Sequence, residues 1–361
     1  MQGQVITQFG LKQHGVIQAV DGVTPVRVII QERVNVPATW TYTIASTDVT
    51  SFNSSFHDAM LAPTPLVYVR IGTNAGSQVN WSPWQAHLVV LLRSIPKPEG
   101  YTILMKSSDH FAIMDRETIM AAWQGTVGDM VTAVANNYGL VPVVEPTNGN
   151  FNLIQSHTSD FEFITERLLK RSANSNGRAD FRTYVRDGEL HFHTTGYKKK
   201  PYPLRHFFGP STTAVFDDST QKQIHLGGAG ILMHVFNPHS GTISQVFSKP
   251  PTTKMAKSYP NFSSIRGGPR IVDWTIGANQ PIEPTLIAQA MYELAHLEEY
   301  VVTLRTDQIL MRVDDLVNLD FTQSATSLNP WSGVYAVLEA THNVVNGMVT
   351  SSVTLTRGEI N

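Results

Sequence analysis

Length, composition and charge set the first limits on this chain. Its 361 residues suggest two or three domains, and a hydrophobic content of 42% is sufficient for buried cores. The formal net charge of −2 argues against a dedicated nucleic-acid-binding domain, and the lack of cysteine excludes disulfides, thiol nucleophiles and cysteine-bound zinc.

Residues 1–106 are predicted to form a first β-barrel domain. Asp21-Gly22 lies between the strand-like segments VIQAV and VTPVRVIIQERV, which predicts a hairpin. WTYTIAS and PLVYVRIGT alternate apolar and polar residues, and QAHLVVLLRSIPKPEGYTILMKSSD reads as two strands around a Pro/Gly turn. The opening residues, MQGQVITQFG, lack the segments of a signal peptide, and no 18-residue apolar run occurs, so we expect synthesis in the cytoplasm and no stable membrane insertion.

Residues 107–205 are predicted to form an α/β module of two helices and a hairpin. A first helix starts at Thr126, with Asp129 three residues on as in a capping pattern, and Gly139 stops it. An extended stretch starts at Phe151. Ser159 and Glu162 form an S-x-x-E capping box, which predicts that Ser159 caps a second helix.

The module is predicted to end in a tight hairpin. The segments Phe181–Val185 and Leu190–His193 flank Asp187-Gly188, and Asp-Gly between alternating strands is a strong short-range hairpin signal. Lys198-Lys199-Lys200 follows and is interpreted as a solvated loop.

Residues 206–280 are predicted to hold strands and a long exposed loop that complete the barrels. TAVFDD, GILMHVFNP and GTISQVFSK are the candidate strands, and KPPTTKMAKSYPNFSSIRGGP is the candidate loop. Residues 281–361 are predicted to give a helix from Pro284 and then the C-terminal strands of a second β-barrel domain, with a hairpin at Asn346-Gly347. The fold class expected is β-rich α+β: two small antiparallel barrels with an interposed α/β module.

The order of these segments resembles that of a known family. GDMVTAVANNYGL, QSHTSDFEFITERLLKRS and YVRDGELHFHT resemble the baseplate hub family of contractile phage tails, which includes the late control protein D type and the VgrG spike proteins. The closing segments LMRVDDLVNLDF and GVYAVLEATHNVVNGMVTSSVTLTR are similar to the last strands of such hubs.

The resemblance implies a structural protein, not an enzyme. Such a hub is a homotrimer whose two barrels per chain make a ring that joins the six-fold tail tube to the three-fold central spike. The implied partners are further copies of the chain, the tube protein, the spike protein, other baseplate (wedge) proteins and the tape measure protein, with DNA only in transit on ejection. The implied location is the tail baseplate of a virion, after synthesis in the host cytoplasm.

The candidate catalytic, cofactor and metal residues give no supported site. His191 and His193 share one strand face but have no third ligand assigned beside them. Gly227–Gly230 lacks the Lys-Ser/Thr and the helix of a phosphate loop. The pairs Asp217-Asp218 and Asp314-Asp315 are adjacent in sequence, so neither is by itself a hydrolytic dyad. We expect no catalytic site, cofactor or metal.

Other residues carry open alternatives. NWSPWQAH is either an exposed interface loop or part of the packing of a barrel, as are the remaining tryptophans at 40, 123, 274 and 331. For the channel of a hub we expect a neutral to acidic lining, with Lys198–Lys200 outside it, because cations retain DNA phosphates.

Two functions remain as alternatives: a tail-associated peptidoglycan hydrolase, and a receptor-binding or sheath-linking β-protein.

Overall fold

The structure is a computed structural model of the chain. It describes residues 4–46, 54–60, 62–63, 65–74, 78–98, 100–176, 178–200, 202–205, 215–222, 231–237, 240–247, 270–275, 284–285, 288, 300–306, 311–320 and 333–357.

Strands dominate the described residues. They are β1 (Gln4–Gln13), β2 (Val16–Ala19), β3 (Pro25–Arg33), β4 (Val36–Ser46), β5 (Leu66–Asn74), β6 (Val79–Trp81), β7 (Gln85–Lys97), β8 (Gly100–Ser108), β9 (Thr118–Gly125), β10 (Val141–Val144), β11 (Phe151–Ser159), β12 (Phe181–Arg186), β13 (Glu189–Thr194), β14 (Tyr202–Arg205), β15 (Val215–Lys222), β16 (Ile231–Asn237), β17 (Thr242–Phe247), β18 (Arg270–Thr275), β19 (Tyr300–Thr306), β20 (Leu316–Asp320), β21 (Gly333–Val345) and β22 (Met348–Arg357). The helices are α1 (Ser54–Met60), α2 (His110–Met114), α3 (Val127–Asn137) and α4 (Asp160–Glu162).

The main sheet runs through both ends of the chain. Its strand order is β15-β19-β22-β21-β3-β4-β8-β7-β5-β1-β2, with β6 beside β5, β20 beside β21 and β14 beside β20. Strands make up 61% of the structure and helices 15%, which confirms the β-rich class. Within the described residues no sheet closes into a barrel, so the two barrels stay a prediction.

The first predicted hairpin is wrong in its partner strands. β2 pairs with β1 across a turn at His14 and Gly15, whose φ values of 49° and 84° suit a tight hairpin turn. Asp21-Gly22 instead connects β2 to β3 without pairing them. The physical reason is that both edges of β3 are occupied, by β4 on one side and β21 on the other.

The first helix and the hairpin of the predicted module form where the sequence places them. Thr126 caps α3 and forms a capping box with Asp129, and Gly139 follows the helix in a left-handed conformation, with φ 68°. β12 and β13 pair across Asp187-Gly188, both at positive φ. The buried side of α3 packs with β11 and this hairpin in a core of its own.

The second helix is less regular than predicted. Ser159 is the last residue of β11 and also the cap of α4, since its Oγ accepts from the Glu162 N–H at 3.0 Å. From Phe163 the chain widens into a π-helical turn, in which the Leu169 N–H donates to the Ile164 carbonyl, and it ends in a short 3₁₀ turn. One helical segment is therefore present, with changed hydrogen bonding after its first turn.

We expect Ser159→Ala to lower the free energy of unfolding by about 0.5–2 kcal/mol. The substitution removes the acceptor for the Glu162 N–H and also the hydroxyl that donates to Asp115 Oδ1 at 2.7 Å. Urea titration of the purified protein measures the change. Ser156→Ala, on an exposed position of the same strand, is the control, and equal stability of both variants would contradict the capping role.

The main sheet contains the same five-stranded pattern twice. The first unit is β3, β4, β8, β7 and β5; the second unit is β15, β19, β22, β21 and β20. In each unit the strands pair in that order, and each of the long strands β7 and β21 has 13 residues.

The pairing registers of the two units correspond residue for residue over most of their length. Lys97↔Gly100 at the β7–β8 turn corresponds to Val345↔Met348 at the β21–β22 turn. Both hairpins have a bulge at the same place, after Val89 in β7 and after Val337 in β21. The β5–β7 and β20–β21 pairs also correspond, with Leu66↔Leu88 in the first unit and Leu316↔Ala336 in the second. A further bulge follows Pro25 in β3 and, at the same place in the second unit, Val215 in β15. Bulges are designed features of a sheet, so their coincidence marks a structural repeat.

The β21–β22 hairpin ties the two units together. β21 pairs with β3 from Glu339↔Arg33 to Val345↔Arg27, and this edge-to-edge contact makes one continuous sheet. The tip of the hairpin, with Val344 and Val349, is buried in the core of the first unit. Its base, with Tyr335 and Leu355, is buried in the core of the second unit.

The segment predicted to complete the barrels divides between two sheets. β15 joins the main sheet, whereas β16, β17 and β18 form a separate three-stranded sheet. The predicted long loop lies outside the described residues, as does most of the predicted helix, of which 284–285 and 288 are helical. Among the described helices, none has the length and apolar character needed to cross a membrane.

Candidate functional site

A cluster of charged side chains lies where the first unit, the α/β module and the second unit meet. We call it the charged junction; it consists of Glu32 on β3, Arg186, Asp187 and Lys199 from the module, and Arg312, Asp314 and Asp315 before β20. The first unit, the module and the second unit each contribute at least one charged side chain that pairs with a charged side chain of another of the three. The junction therefore fixes the three parts relative to one another.

The ion pair between Glu32 and Arg312 is the centre of the junction. The guanidinium donates to both carboxylate oxygens of Glu32, with Nε 2.9 Å from Oε1, and its Nη1 lies 3.1 Å from Asp187 Oδ1. Burial raises the pKa of Glu32, but Arg312 outweighs burial and holds that pKa below its usual value. Burial likewise lowers the pKa of Arg312, and Glu32 and Asp187 together raise it above its usual value. Both groups are charged in the folded protein.

Asp314 and Asp315 lie at the turn before β20, and they also anchor the module. Asp314 has φ 62° and is fully buried; its Oδ2 is 3.3 Å from Lys199 Nζ. Asp315 pairs with Arg186 at 2.9 Å. The interpretation of Lys198–Lys200 as a solvated loop is therefore wrong for Lys199, because the turn after β13 directs this side chain inward while Lys198 and Lys200 are exposed.

His191 and His193 share one face of β13, as predicted, and both are buried. His193 Nε2 lies 3.4 Å from His191 Nδ1, and the ring of Tyr184 stacks on His191 with a centroid distance of 4.5 Å. Burial lowers the pKa of both imidazoles. Within the described residues no group of three or more His, Cys, Asp or Glu is placed to hold a metal.

Two sequence candidates remain, the glycine run and the Asp217-Asp218 pair. Gly227–Gly230 lies outside the described residues. Asp217 and Asp218 belong to β15, where they pair with Arg305 and Leu304 of β19. This strand is part of the main sheet, and Asp314 belongs to the charged junction.

The tryptophans are divided between core and surface. Trp40 is buried in the first core, and the half-buried Trp123 stacks on Phe163. Trp81 and Trp84 of NWSPWQAH are also half-buried and enclose the Arg70 guanidinium, with 4.4 and 4.3 Å to the two ring centroids. The side chain of Trp274 and the whole of Trp331 lie outside the described residues. Trp40 and Trp123 therefore pack in a core, as one interpretation predicted, whereas both interpretations of NWSPWQAH stay predictions.

A buried histidine in the first core makes stability sensitive to acid. His87 has its Nδ1 3.0 Å from Ser107 Oγ and its ring edge against Trp40, and burial lowers its pKa from 6.5 to about 3. Below pH 6.5 the unfolded chain binds a proton at His87 that the folded chain does not bind. The contribution of neutral His87 to stability is therefore complete above pH 6.5 and is lost as the pH falls toward 3.

We therefore expect His87→Gln to flatten the dependence of stability on pH between 6 and 4. Each such histidine contributes about 1.4 kcal/mol per pH unit in that window. Urea titrations at three pH values give the two slopes. Identical slopes for the natural protein and the variant would contradict the expectation.

The outer half of β7 is an open sheet edge. β7 pairs with β5 only from Gln85 to Leu88, and from Val90 to Lys97 it has no second partner among the described strands. In the second unit, the corresponding half of β21 is covered by β3. β15, at the other end of the sheet order, pairs with β19 alone among the described strands. An open edge offers backbone donors and acceptors to another chain.

The side of the continuous sheet opposite the two cores is exposed along both units. We call this side the open face. One row across it runs from Lys106 through Thr41, Ile29 and Asn343 to Thr350, each paired with the next. The face is rich in threonine, and its charged members include the basic Arg27, Arg33, Arg93, Lys97, Lys106 and Arg305 and the acidic Glu339.

The fold is shared with solved tail proteins. The tail protein from Neisseria meningitidis MC58 superposes with a TM-score of 0.62 at 10% identity, over 99% of this chain and 98% of its own. The 43 kDa tail protein of prophage MuSo2 from Shewanella oneidensis gives 0.56 at 12% identity, over 98% of both chains.

A protein from a secretion system has the same fold. The E. coli c3393 protein, a component of the type VI secretion system, gives a TM-score of 0.54 at 10% identity, over 93% of this chain and 74% of its own. No protein-family model matches the sequence, and the comparison with curated proteins gives no match. At these identities the likeness concerns the fold.

Proposed function

We propose that this protein is the structural baseplate hub of a phage tail. Three copies would form a ring that joins the six-fold tail tube to the three-fold central spike and lets DNA pass on ejection. The observation that carries the proposal is the duplicated five-stranded unit within one chain. A trimer then presents six similar units, and so matches both symmetries.

The way the two units are joined supports a ring. They are not separate domains on a linker: β21 and β3 make a continuous sheet, and the charged junction fixes the module against both units. A rigid pair of units of this kind repeats by rotation, and a heterologous contact that repeats by rotation closes into a ring when the angle fits. Each unit is expected to complete a small barrel in that assembly.

We assign the open face to the channel of the ring, since the opposite side is covered by the two cores. Threonine hydroxyls and a few basic side chains would then line the channel. The neutral to acidic lining expected from the sequence, with Lys198–Lys200 outside it, stays a prediction, and the basic side chains of the open face favour a weakly basic lining instead. Because the charges are few, we expect the ring to retain DNA at low salt and to release it by physiological salt, as a filter-binding titration measures. Tight binding at physiological salt would contradict passage of DNA.

The proposed partners follow from the two ends of such a ring. One end contacts the tail tube protein and the other the central spike protein, with wedge proteins around the outside and the tape measure protein in the channel before ejection. The location is the virion baseplate. The tail proteins that share the fold support this placement.

Native mass spectrometry of the purified protein at rising concentration tests the proposal. The expected species has three times the mass of the 40.0 kDa chain, with a population that increases with concentration. Peptidoglycan zymography in parallel tests the alternative of a wall hydrolase. Cleared bands with a monomeric mass would overturn the structural role.

A further inference from the structure

We infer that the open half of β7 in one copy pairs antiparallel with β15 of a second copy. The internal repeat sets the register of this pairing: Arg93 opposite Gln221, Ile95 opposite Ser219 and Lys97 opposite Asp217. The inference deepens the proposed function, on which it rests for the closure into three copies, by naming the strands that join the subunits.

The register is read from the contact already present between the two units. There, Thr341 pairs with Gln31, Asn343 with Ile29 and Val345 with Arg27. In the repeat, these β21 residues correspond to Arg93, Ile95 and Lys97 of β7, because both hairpins have the same turn length and the same bulge.

The β3 side of the contact is transposed in the same way. Ile29 pairs with Thr41 of β4, and Ser219 pairs with Thr303 of β19, each two residues beyond the first pair after a bulge. Arg27 therefore corresponds to Asp217, Ile29 to Ser219 and Gln31 to Gln221. β7 thus corresponds to the β21 side of the contact between the units, and β15 corresponds to the β3 side. Among the described strands, neither has the partner that this contact would give it.

Charge and exposure favour a second copy as the occupant of the β7 edge. Lys97 comes to lie opposite Asp217, and opposite charges directly across an antiparallel pair are stabilising. Val90, Leu91 and Ile95 are large apolar side chains exposed on this strand, with 52%, 46% and 37% of their surface accessible. Such an exposed apolar edge is a liability for a monomer and is usually covered.

Pro96 limits what else can bind at this edge. Backbone groups alternate in direction along a strand, and since Lys97 pairs with Gly100, the missing N–H of Pro96 faces the open side. The corresponding Val344 directs its backbone toward β3. The pairing with β15 therefore lacks one donor, and its specificity depends on the neighbouring residues rather than on a complete backbone ladder.

Engineered disulfides test the register, and the chain is suited to them because it contains no cysteine of its own. In the full-length protein we would combine Ile95→Cys with Ser219→Cys and oxidise it at a concentration where the natural protein assembles. Directly opposed residues of an antiparallel pair lie within the Cα separation that a disulfide spans. We expect cross-linked dimers and trimers on a denaturing gel.

Two further variants serve as matched controls. Ile29→Cys with Asn343→Cys places the same link at the contact within the chain, and it should form without joining copies. Ile95→Cys with Thr220→Cys moves one cysteine to the next residue of β15. Its side chain then points to the other face of the sheet, so this pair should not cross-link.

The outcomes separate this inference from the proposed function. Cross-linking of the 95–219 pair, without cross-linking of the 95–220 pair, supports the register. A trimeric mass without a 95–219 link overturns the pairing and leaves the hub intact. Links that continue beyond three chains support the pairing and overturn the trimer, and a link in the 95–220 pair alone overturns the register.

Discussion

Arg312→Met is expected to lower the free energy of unfolding by about 3–5 kcal/mol, because it leaves a buried carboxylate without its partner. Glu32 is only 3% exposed, and Arg312 is the side chain that donates to both of its oxygens. Methionine keeps most of the length of the side chain, so the lost charge accounts for most of the effect. Urea denaturation of the purified protein measures the loss.

A double variant separates lost charge from lost packing. Glu32→Gln with Arg312→Met removes both charges of the pair, and we expect it to be more stable than the sum of the single effects predicts. Lys170→Met is the matched surface control, since Lys170 pairs with Glu166 on an exposed helical face and should cost less than about 1 kcal/mol. Additive effects of the two junction substitutions would contradict a coupled buried pair.

Val344→Asp is expected to destabilise the protein by a similar amount, about 3–5 kcal/mol, through an unpaired charge in an apolar core. Val344 is 5% exposed at the tip of the β21–β22 hairpin, among the buried side chains of the first unit. The substitution should therefore destabilise the first unit, although Val344 lies in the C-terminal part of the sequence. Hydrogen exchange should show reduced protection in β3 and β4.

The neighbouring residue provides the control. Val345 is 37% exposed on the open face, opposite Arg27. Val345→Asp introduces the same group one residue further along and should change stability by less than about 0.5 kcal/mol. Equal losses for both variants would mean that the hairpin tip is not shared with the first core.

Features that depend on neighbouring residues were predictable from the sequence. The Thr126 and Ser159 caps and the Asp187-Gly188 and Asn346-Gly347 turns all form as expected, because the groups that determine them lie within a few residues. The π-helical turn after Phe163 was not predictable, since its wider hydrogen bonding follows from packing in the module core.

Strand partners were less predictable, because alternation fixes which face a strand buries and not which strand lies beside it. The Asp21-Gly22 turn was misassigned for this reason. The structural repeat is also nearly invisible in the sequence: Leu66-Val67 matches Leu316-Val317, but His87 corresponds to Tyr335. The two units share their pattern of buried positions and their bulges. Many different side chains are compatible with both, so the sequences of the two units can differ.

The charged junction was missed because its members come from three distant segments. One signal was present in the sequence. Glu32 shares a strand face with the apolar Val28 and Ile30, and a carboxylate on a buried face requires a cationic partner. The sequence could thus indicate that Glu32 is paired, but not that Arg312 is its partner.

Electron microscopy of the purified assembly, at a resolution that separates strands, tests the proposed ring most directly. We predict a ring of three chains with six similar sheet units around a channel, in which the open face is turned inward. Within each chain the units should meet at β21 and β3, and between chains at β7 and β15. A ring of six chains, a single chain in the assembly, or units that meet through their cores would contradict it.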